Sequence, residues 1–155
     1  MNPIIKTFGL MAGSWNLYRT ITSPKFQPMT GSGKAIFEKY QKDAPSLLYK
    51  EELTLHLPSE SINASKDYIF RLIDNQISVF FNENPERFFY TLKFDDDHPT
   101  ADRLFQQAGG GHLCGNDNYR ASYSFFDDNT FELTYQVSGP KKDYTTITKY
   151  NRIIF

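Results

Sequence analysis

Two oppositely charged residues stand in stretches where apolar and polar side chains alternate. Arg19 lies two residues after Leu17, and Glu51 lies two residues after Tyr49. A period of two is typical of a β-strand with one buried face, so both charges are predicted to face the interior. Since a buried charge is costly unless it is paired and hydrogen-bonded, we expect Arg19 and Glu51 to be mutual partners. Such a pair is either a polar floor that orients a ligand or an internal salt bridge that satisfies only itself.

Tyrosines are the second group of residues with suitable chemistry. The chain has 10 Tyr and 14 Phe, and each tyrosine offers an apolar ring face together with a hydroxyl group that can orient a ligand. The alternation predicts that some of them face the same interior as Arg19 and Glu51. The predicted inner-face tyrosines are Tyr49, Tyr119, Tyr123 and Tyr135.

A third candidate group comprises His112, Cys114 and Asp117. A zinc site needs three or four ligands, and the other histidines, His56 and His98, fall on separate segments. A Cys–His nucleophile pair needs hydrogen-bond contact, whereas same-face neighbours on a strand lie roughly 6–7 Å apart. Haem ligation by His112 lacks a second haem-specific feature. We favour the simpler interpretation that His112 and Asp117 fix a loop by hydrogen bonds, and we expect no metal and no cofactor.

The turn that begins at Gly139 carries Lys141, Lys142 and then Tyr144. These residues are candidates for contact with a ligand if the turn lies at the mouth of a pocket. Two exposed lysines would attract an anionic ligand group only modestly. The glycines at 109–111 are not followed by Lys-Ser or Lys-Thr, so they do not predict a phosphate-binding loop.

Short strands must position these residues. A short helix is predicted over 3–10, because Pro3 stands at an early position and apolar residues follow at helical spacing. From Trp15 onward the period is two, and turn residues separate nine predicted strands. The predicted strands cover 14–22, 33–41, 46–57, 65–73, 76–82, 87–94, 118–126, 131–137 and 143–154.

The strand count bears on how the sheet closes. An antiparallel barrel that pairs its last strand with its first needs an even number of strands, whereas nine are predicted. The segment 95–118 must therefore supply a tenth strand or a crossover. A short helix predicted over 99–107, ended by the glycines at 109–111, favours the crossover. The expected fold is all-β: a single antiparallel up-and-down β-barrel of nine or ten strands, with a short N-terminal helix.

The start and the end of the chain carry a further pattern. Gly13-Ser14-Trp15 matches the G-x-W arrangement that opens the first strand of calycins, and Arg152 stands near the end of the last strand. The chain thus resembles the lipocalin-like barrels of that group. The resemblance implies that Trp15 plugs the narrow end and that Arg152 lies across it, stacked on the indole while its guanidinium satisfies nearby carbonyls. Both roles are structural.

A second set of residues, mostly in the C-terminal half, matches a known family. These residues are His112-Leu113-Cys114, Asp117, Tyr119, Tyr123, Gly139-Pro140-Lys141-Lys142-Asp143-Tyr144, Tyr150 and Arg152. In them, and over essentially all of its length, the chain resembles the domain of unknown function family 6314. The resemblance implies a lipocalin-like barrel and no established reaction.

The closed end also fixes the position of the mouth. If Trp15 marks the closed end, the first strand runs to the open end and the last strand runs back from it. The turn at 139–144 and the segment 112–117 then both lie at the open end, where the pockets of such barrels are reached.

Composition limits the alternatives. The 155 residues fit one domain, 1–155, and 17 basic residues stand against 18 acidic ones, for a formal net charge of −1. This balance argues against nucleic-acid partners, which need a basic stripe. No stretch approaches the roughly 20 apolar residues of a membrane span, so no membrane insertion is expected. A single cysteine and a start without a signal-peptide pattern predict a cytoplasmic protein, monomeric or dimeric.

Three functions remain open. The first is a small-molecule binding protein, which holds an amphipathic or anionic ligand inside the barrel near Arg19, Glu51 and Tyr119. The second is a cofactor-free isomerase, lyase or cyclase in the same pocket. Glu51 would be its general acid or base, with a pKa raised by burial, and Arg19 or a tyrosine would stabilise an oxyanion. The third is a protein-interaction module with exposed aromatic side chains. The candidates for that surface are Phe80, Phe88 and Tyr90.

Overall fold

The computed structural model describes residues 3–94, 106–114 and 116–155. One helix precedes ten strands, as the early proline and the later period of two predict. The elements are α1 (Pro3–Met11), β1 (Gly13–Ser23), β2 (Phe26–Lys39), β3 (Ser46–His56), β4 (Ser61–Ile73), β5 (Gln76–Phe81), β6 (Arg87–Phe94), β7 (Gln106–Cys114), β8 (Asp117–Asp127), β9 (Thr130–Ser138) and β10 (Asp143–Arg152). The helix α1 is too short to cross a bilayer, and the described residues contain no helix that could.

The ten strands form one closed antiparallel barrel. Each strand pairs with the next along the chain, and β10 returns to pair with β1. Closure places Trp15 opposite Arg152 and Thr22 opposite Thr145. The even number resolves the strand count, since β7 is the tenth strand that the segment 95–118 had to supply.

The helical crossover predicted over 99–107 needs a correction at its end. Residues 99–105 lie outside the described residues, but Gln106 and Gln107 begin β7 and pair with Phe125 and Ser124 of β8. The glycines after them do not end a helix. A Cβ atom at Gly110 would lie 2.7 Å from the carbonyl oxygen of Thr91, so glycine allows β6 and β7 to approach closely.

The helix and the last residues of β10 seal one end of the barrel. Phe8 and Met11 of α1 pack against Trp15, whose indole nitrogen donates a hydrogen bond of 3.0 Å to the carbonyl of Met11. The guanidinium of Arg152 lies 4.3 Å from the centre of the indole ring. It also donates hydrogen bonds to carbonyl oxygens of three residues: Leu10, Ala12 and Asp128. The predicted stacking of Arg152 on Trp15 at the closed end is confirmed.

The wall of the barrel is lower at one point of the open end. Pairing between β4 and β5 starts at Tyr68 with Phe81, and the chain then turns into β6 through residues 82–86. Residues Ser61–Asp67 of β4 therefore pair with β3 alone among the described strands, and all seven are exposed. We call this section of the open end, beside Ser61–Asp67, the rim notch. It opens the interior to solvent from the side as well as from the mouth.

Candidate functional site

A cavity of about 380 Å³ lies inside the open half of the barrel. Apolar and aromatic side chains make up most of its lining, and a few charged groups lie among them. The lining residues are Arg19, Ile21, Phe26, Met29, Glu51, Leu53, Leu55, Ala64, Lys66, Tyr68, Phe89, Tyr119, Tyr135, Val137, Tyr144 and Thr146.

The floor of the cavity is an ion pair between neighbouring parts of the wall. Arg19 of β1 donates two hydrogen bonds to the carboxylate of Glu51 of β3, at 2.7 and 2.9 Å. Both residues are buried. The third donor of Arg19, its Nε atom, bonds the hydroxyl of Thr148 at 2.7 Å. The predicted pairing of Arg19 with Glu51 is confirmed, and the fork geometry is the strong bidentate form.

Glu51 also accepts a hydrogen bond from the side of the closed end. The hydroxyl of Tyr49 donates a hydrogen bond of 2.6 Å to the carboxylate, and it lies 2.8 Å from the hydroxyl of Tyr150. Burial by itself would raise the pKa of Glu51, but the hydrogen bonds from Arg19 and Tyr49 and the nearby charge of Lys66 lower it below its ordinary value. The expectation of a raised pKa at Glu51 is therefore wrong, because these groups stabilise the ionised carboxylate more than burial destabilises it.

Lys66 is the functional candidate that the sequence predictions did not include. It lies on β4 directly opposite Glu51, so the two side chains share the inner face, and Lys66 lines the cavity. Among the described residues, none accepts a hydrogen bond from Lys66 or forms a salt bridge with it. The available signal was the spacing of Lys66, which stands two residues from Ala64 and two from Tyr68 on the same face of β4.

The surroundings of Lys66 disfavour its charge. Lys66 lines the cavity on the inner face and is exposed to solvent at the rim notch. Burial lowers the pKa of Lys66 below its ordinary value, the carboxylate of Glu51 opposes that effect, and the positive charge of Arg19 adds to it. With Lys66 protonated, the two cations and the one carboxylate leave the cavity with an excess positive charge.

The two predicted mouth segments meet at the open end. The ammonium of Lys142 donates a hydrogen bond of 3.0 Å to the hydroxyl of Tyr119 and lies 3.6 Å from the carboxylate of Asp117. The contact between the segments is so close that a Cβ atom at Gly139 would lie 2.0 Å from an oxygen of Asp117. Asp117 thus has Lys142 as an ion-pair partner across the mouth, and the loop role predicted for Asp117 together with His112 stays a prediction.

The other residues of the predicted turn differ in position. Tyr144 lines the cavity, as does Tyr119. Lys141 is exposed on the turn and is not part of the cavity lining. The lysine of this turn that contacts Tyr119 and Asp117 is therefore Lys142, the next residue along the chain.

The predicted inner-face tyrosines separate into two levels. Tyr119 and Tyr135 line the cavity, whereas Tyr49 and Tyr123 are buried below it. The hydroxyl of Tyr90 joins those of Tyr123 and Tyr135, at 2.6 and 2.7 Å. Tyr90 is only 1% exposed, so its assignment to a surface aromatic patch is wrong. Phe88, by contrast, is 48% exposed.

One further tyrosine of the lining, Tyr68, stays protonated across the ordinary pH range. Burial, the first cause, and the carboxylate of Glu51 raise the pKa of Tyr68 to about 12. Its hydroxyl is therefore available as a hydrogen-bond donor to a ligand in the cavity.

His112 and Cys114 belong to β7, where their backbones pair with Tyr119 and Asp117. Their side chains lie outside the described residues, and the loop role predicted for His112 stays a prediction. Within the part of the chain that the structure describes, no group of three or more His, Cys, Asp or Glu side chains is placed to hold a metal ion.

Two solved structures share this fold. The S-type phycobiliprotein lyase CPES from Guillardia theta superposes with a TM-score of 0.71 at 9% identity, covering 98% of this chain and 93% of that chain. Rv2717c from M. tuberculosis superposes with a TM-score of 0.70 at 12% identity, covering 98% of each chain. At these identities the likeness shows the fold alone, and it confirms the lipocalin-like barrel.

Sequence comparison gives a family and no closer relative. No curated protein matches the chain significantly. The model of the family of unknown function DUF6314 matches residues 11–152, a range that includes every strand of the barrel from β1 to β10. The chain therefore belongs to the DUF6314 family.

Proposed function

We propose that this protein binds a small amphipathic molecule inside the barrel, with an anionic group of the ligand against Lys66. The observation that carries the proposal is a lysine without a hydrogen-bond or salt-bridge partner among the described residues, lining an otherwise largely apolar cavity. Its neighbours Arg19 and Glu51 already satisfy each other. A ligand anion would supply the partner that the chain itself does not.

Electrostatics support this choice of ligand charge. The pKa of Lys66 is lowered because the protonated form is poorly solvated and lies near Arg19. A bound carboxylate or phosphate would stabilise the protonated form and raise that pKa again. The arrangement therefore favours an anion over a neutral or cationic ligand group.

The rest of the cavity fits an apolar ligand body. Its volume of about 380 Å³ falls within the usual range for small-molecule pockets, roughly 300–1,000 Å³. Apolar side chains of β1, β2 and β3 form one wall, and the rings of Phe89, Tyr119 and Tyr135 form the other. Phe89 and Tyr135 are nearly parallel, with 7° between their planes. Such walls suit a flat, hydrophobic group.

The bonding of Glu51 argues against it as the general acid or base of the enzyme alternative. Glu51 accepts two hydrogen bonds from Arg19 and one from Tyr49, and its pKa is lowered. A carboxylate whose pKa is lowered in this way is ionised near neutral pH, which disfavours a role as general acid. We therefore propose binding rather than catalysis by Glu51. The name of the lyase neighbour adds no argument for catalysis, because 9% identity shows only the fold.

The test compares a charged probe with a neutral one of the same shape. We expect the wild-type protein to bind 2-naphthoate more tightly than 2-naphthamide, by roughly ten- to hundredfold, since a hydrogen bond to a charged group contributes about 1.5–3 kcal/mol. Lys66→Met should remove this preference. Lys149→Met, which changes an exposed lysine on β10, should keep it. The affinities are measured by isothermal titration calorimetry, with native mass spectrometry for stoichiometry.

The proposal fails if the wild-type protein binds the acid and the amide equally well, or if it binds neither. It also fails if Lys66→Met retains the preference for the acid while its unfolding midpoint in urea matches that of the wild type.

A further inference from the structure

We propose that Lys66 captures aldehyde ligands in the cavity as a reversible imine. This inference rests on the proposed function, since it assumes that the polar end of the ligand lies against Lys66. It extends the class of ligand from anions to carbonyl compounds. It also gives Lys66 a chemical role that a simple counter-ion does not have.

The reaction needs the amine, the carbonyl group and one proton from solvent. The nitrogen of the neutral amine attacks the carbonyl carbon, a C–N bond forms, and a proton passes from the nitrogen to the carbonyl oxygen to give a neutral carbinolamine. A proton from solvent is added to the hydroxyl group, which leaves as water while the nitrogen lone pair forms the C=N bond. One amine, one aldehyde and one proton thus give one protonated imine and one water molecule. No oxidant or reductant is consumed, and hydrolysis reverses the step.

The first requirement for imine formation is a lysine that no salt bridge holds in its protonated form. A lysine held in a salt bridge is protonated and is a poor nucleophile, as at Lys142, which contacts Asp117 and Tyr119. Lys66 has no such contact within the described residues, and it lines the cavity. Burial and the charge of Arg19 lower its pKa, which increases the fraction of neutral amine at ordinary pH.

The neighbouring groups suit the product as well. A protonated imine carries a positive charge, and the Glu51 carboxylate lies on the adjacent strand directly opposite Lys66, so it acts as a counter-ion. The hydroxyl of Tyr68, two residues along the same face of β4, is protonated and can donate to the departing oxygen. The apolar walls hold the carbonyl compound near the amine and limit access of water to the imine.

The experiment traps the imine by reduction. The full chain is incubated with less than one equivalent of 6-methoxy-2-naphthaldehyde and sodium cyanoborohydride, and the secondary amine is located by intact-mass measurement and peptide mapping. We expect a single adduct on the peptide that contains Lys66, formed at least about tenfold faster than adducts on exposed lysines such as Lys149. 6-Methoxy-2-naphthoate, its carboxylate analogue, should slow the labelling by occupying the cavity.

Two variants separate covalent capture from simple charge attraction. Lys66→Arg keeps a cation in the cavity but has no reactive amine, so it should still bind the naphthoate and lose the fast adduct. Lys149→Arg should label like the wild type. The urea midpoint of Lys66→Arg shows whether it is folded, and naphthoate binding gives a second, independent readout of its cavity.

The outcomes distinguish the two proposals. Naphthoate binding with labelling spread evenly over the surface lysines overturns the imine and leaves the proposed function standing. An unchanged fast adduct in Lys66→Arg overturns the assignment to Lys66. Absence of naphthoate binding to the wild-type protein contradicts the proposed function itself, whatever the aldehyde does.

Discussion

The buried pair of Arg19 and Glu51 shows how one residue fixes the chemistry of the next. Because the two side chains satisfy each other, the third charge on the same inner face, Lys66, forms no hydrogen bond or salt bridge among the described residues. A polar floor and a self-satisfied salt bridge, the two interpretations of the pair, are thus not exclusive. The pair neutralises itself, which leaves Lys66 as the group that we propose to contact a ligand.

A first prediction concerns the stability that the pair contributes. Glu51→Gln leaves the buried guanidinium of Arg19 without a counter-ion, which costs about 3–5 kcal/mol of unfolding free energy. The double variant Arg19→Met/Glu51→Leu should recover much of that loss, because it removes both charges at once. Urea unfolding at pH 7 of the two variants and the wild type measures this. A double variant no more stable than Glu51→Gln would contradict it.

The same comparison has a defined pH dependence. The pKa of Glu51 in the folded state is lowered from 4.5, so the contribution of the carboxylate to stability is complete above that value. It is lost as the pH falls below 4.5 and passes through the lowered pKa of the folded state. The difference between wild type and Glu51→Gln should therefore shrink only at acid pH. A difference that falls already between pH 8 and pH 6 would mean a raised pKa.

At the scale of single residues, the sequence predicts that two buried charges pair better than it predicts that a third charge stays unpaired. Burial of two opposite charges nearly requires that they meet, so the pair of Arg19 and Glu51 follows from alternation and electrostatics alone. That Lys66 stays unpaired depends on which strands are neighbours and in what register. Sequence alternation contains no information on either. The same limit explains the wrong prediction for Tyr90, since a register shift between β5 and β6, at Val79 and Phe80, sets the face on which Tyr90 lies.

Among the elements, β4 and the short hairpin of β5 and β6 determine access to the site. The predicted strand at 65–73 starts too late, because the residues from Ser61 onward already pair with β3. The hairpin itself was predicted nearly to its ends. Its turn residues are local signals, whereas the rim notch arises only from the difference in length between β4 and β5.

A second prediction tests this part of the wall. Ala64→Trp places a large ring in the cavity beside the rim notch, since Ala64 lines the cavity and lies opposite Leu53. It should weaken binding of 2-naphthoate at least about tenfold while changing stability by less than about 0.5 kcal/mol, because the site is exposed. Calorimetric titration and urea unfolding provide the two values.

The next residue along β4 supplies the matched control. Ser65 faces outward, opposite Glu52 on β3, so Ser65→Trp adds the same ring to the other side of the same strand. It should leave naphthoate affinity unchanged. If both tryptophans weaken binding equally, the effect belongs to the strand and not to the cavity, and the assignment of Ala64 to the binding site is wrong.

In the whole molecule, the end that Trp15 and Arg152 seal and the candidate binding site lie at opposite ends of the barrel. The resemblance of Gly13-Ser14-Trp15 and Arg152 to calycins located the closed end correctly, since a few specific contacts define it. The strand count could not decide between nine and ten, because the glycines in β7 are as typical of a helix end as of a strand packed tightly on its neighbour. Only closure of the sheet distinguishes the two.

A third prediction follows from this separation. Arg152 joins the last strand to α1 and to the turn between β8 and β9 through its hydrogen bonds to Leu10, Ala12 and Asp128. A lysine cannot reproduce the planar fork that makes these contacts and stacks on Trp15. Arg152→Lys should therefore lower the unfolding free energy by about 1–3 kcal/mol. Arg120→Lys, at an exposed position on β8, should change it by less than about 0.5 kcal/mol.

In Arg152→Lys, tryptophan fluorescence at the closed end and ligand affinity in the cavity should respond differently. Trp15 is the only tryptophan, so its fluorescence reports on the closed end, and the emission should change in Arg152→Lys and stay the same in Arg120→Lys. The affinity for 2-naphthoate should be retained in both variants, because the cavity lining includes neither Trp15 nor Arg152. A loss of affinity that parallels the loss of stability would show that the closed end and the cavity are energetically coupled. The barrel would then act as one cooperative unit and not as a rigid plug with an independent binding site above it.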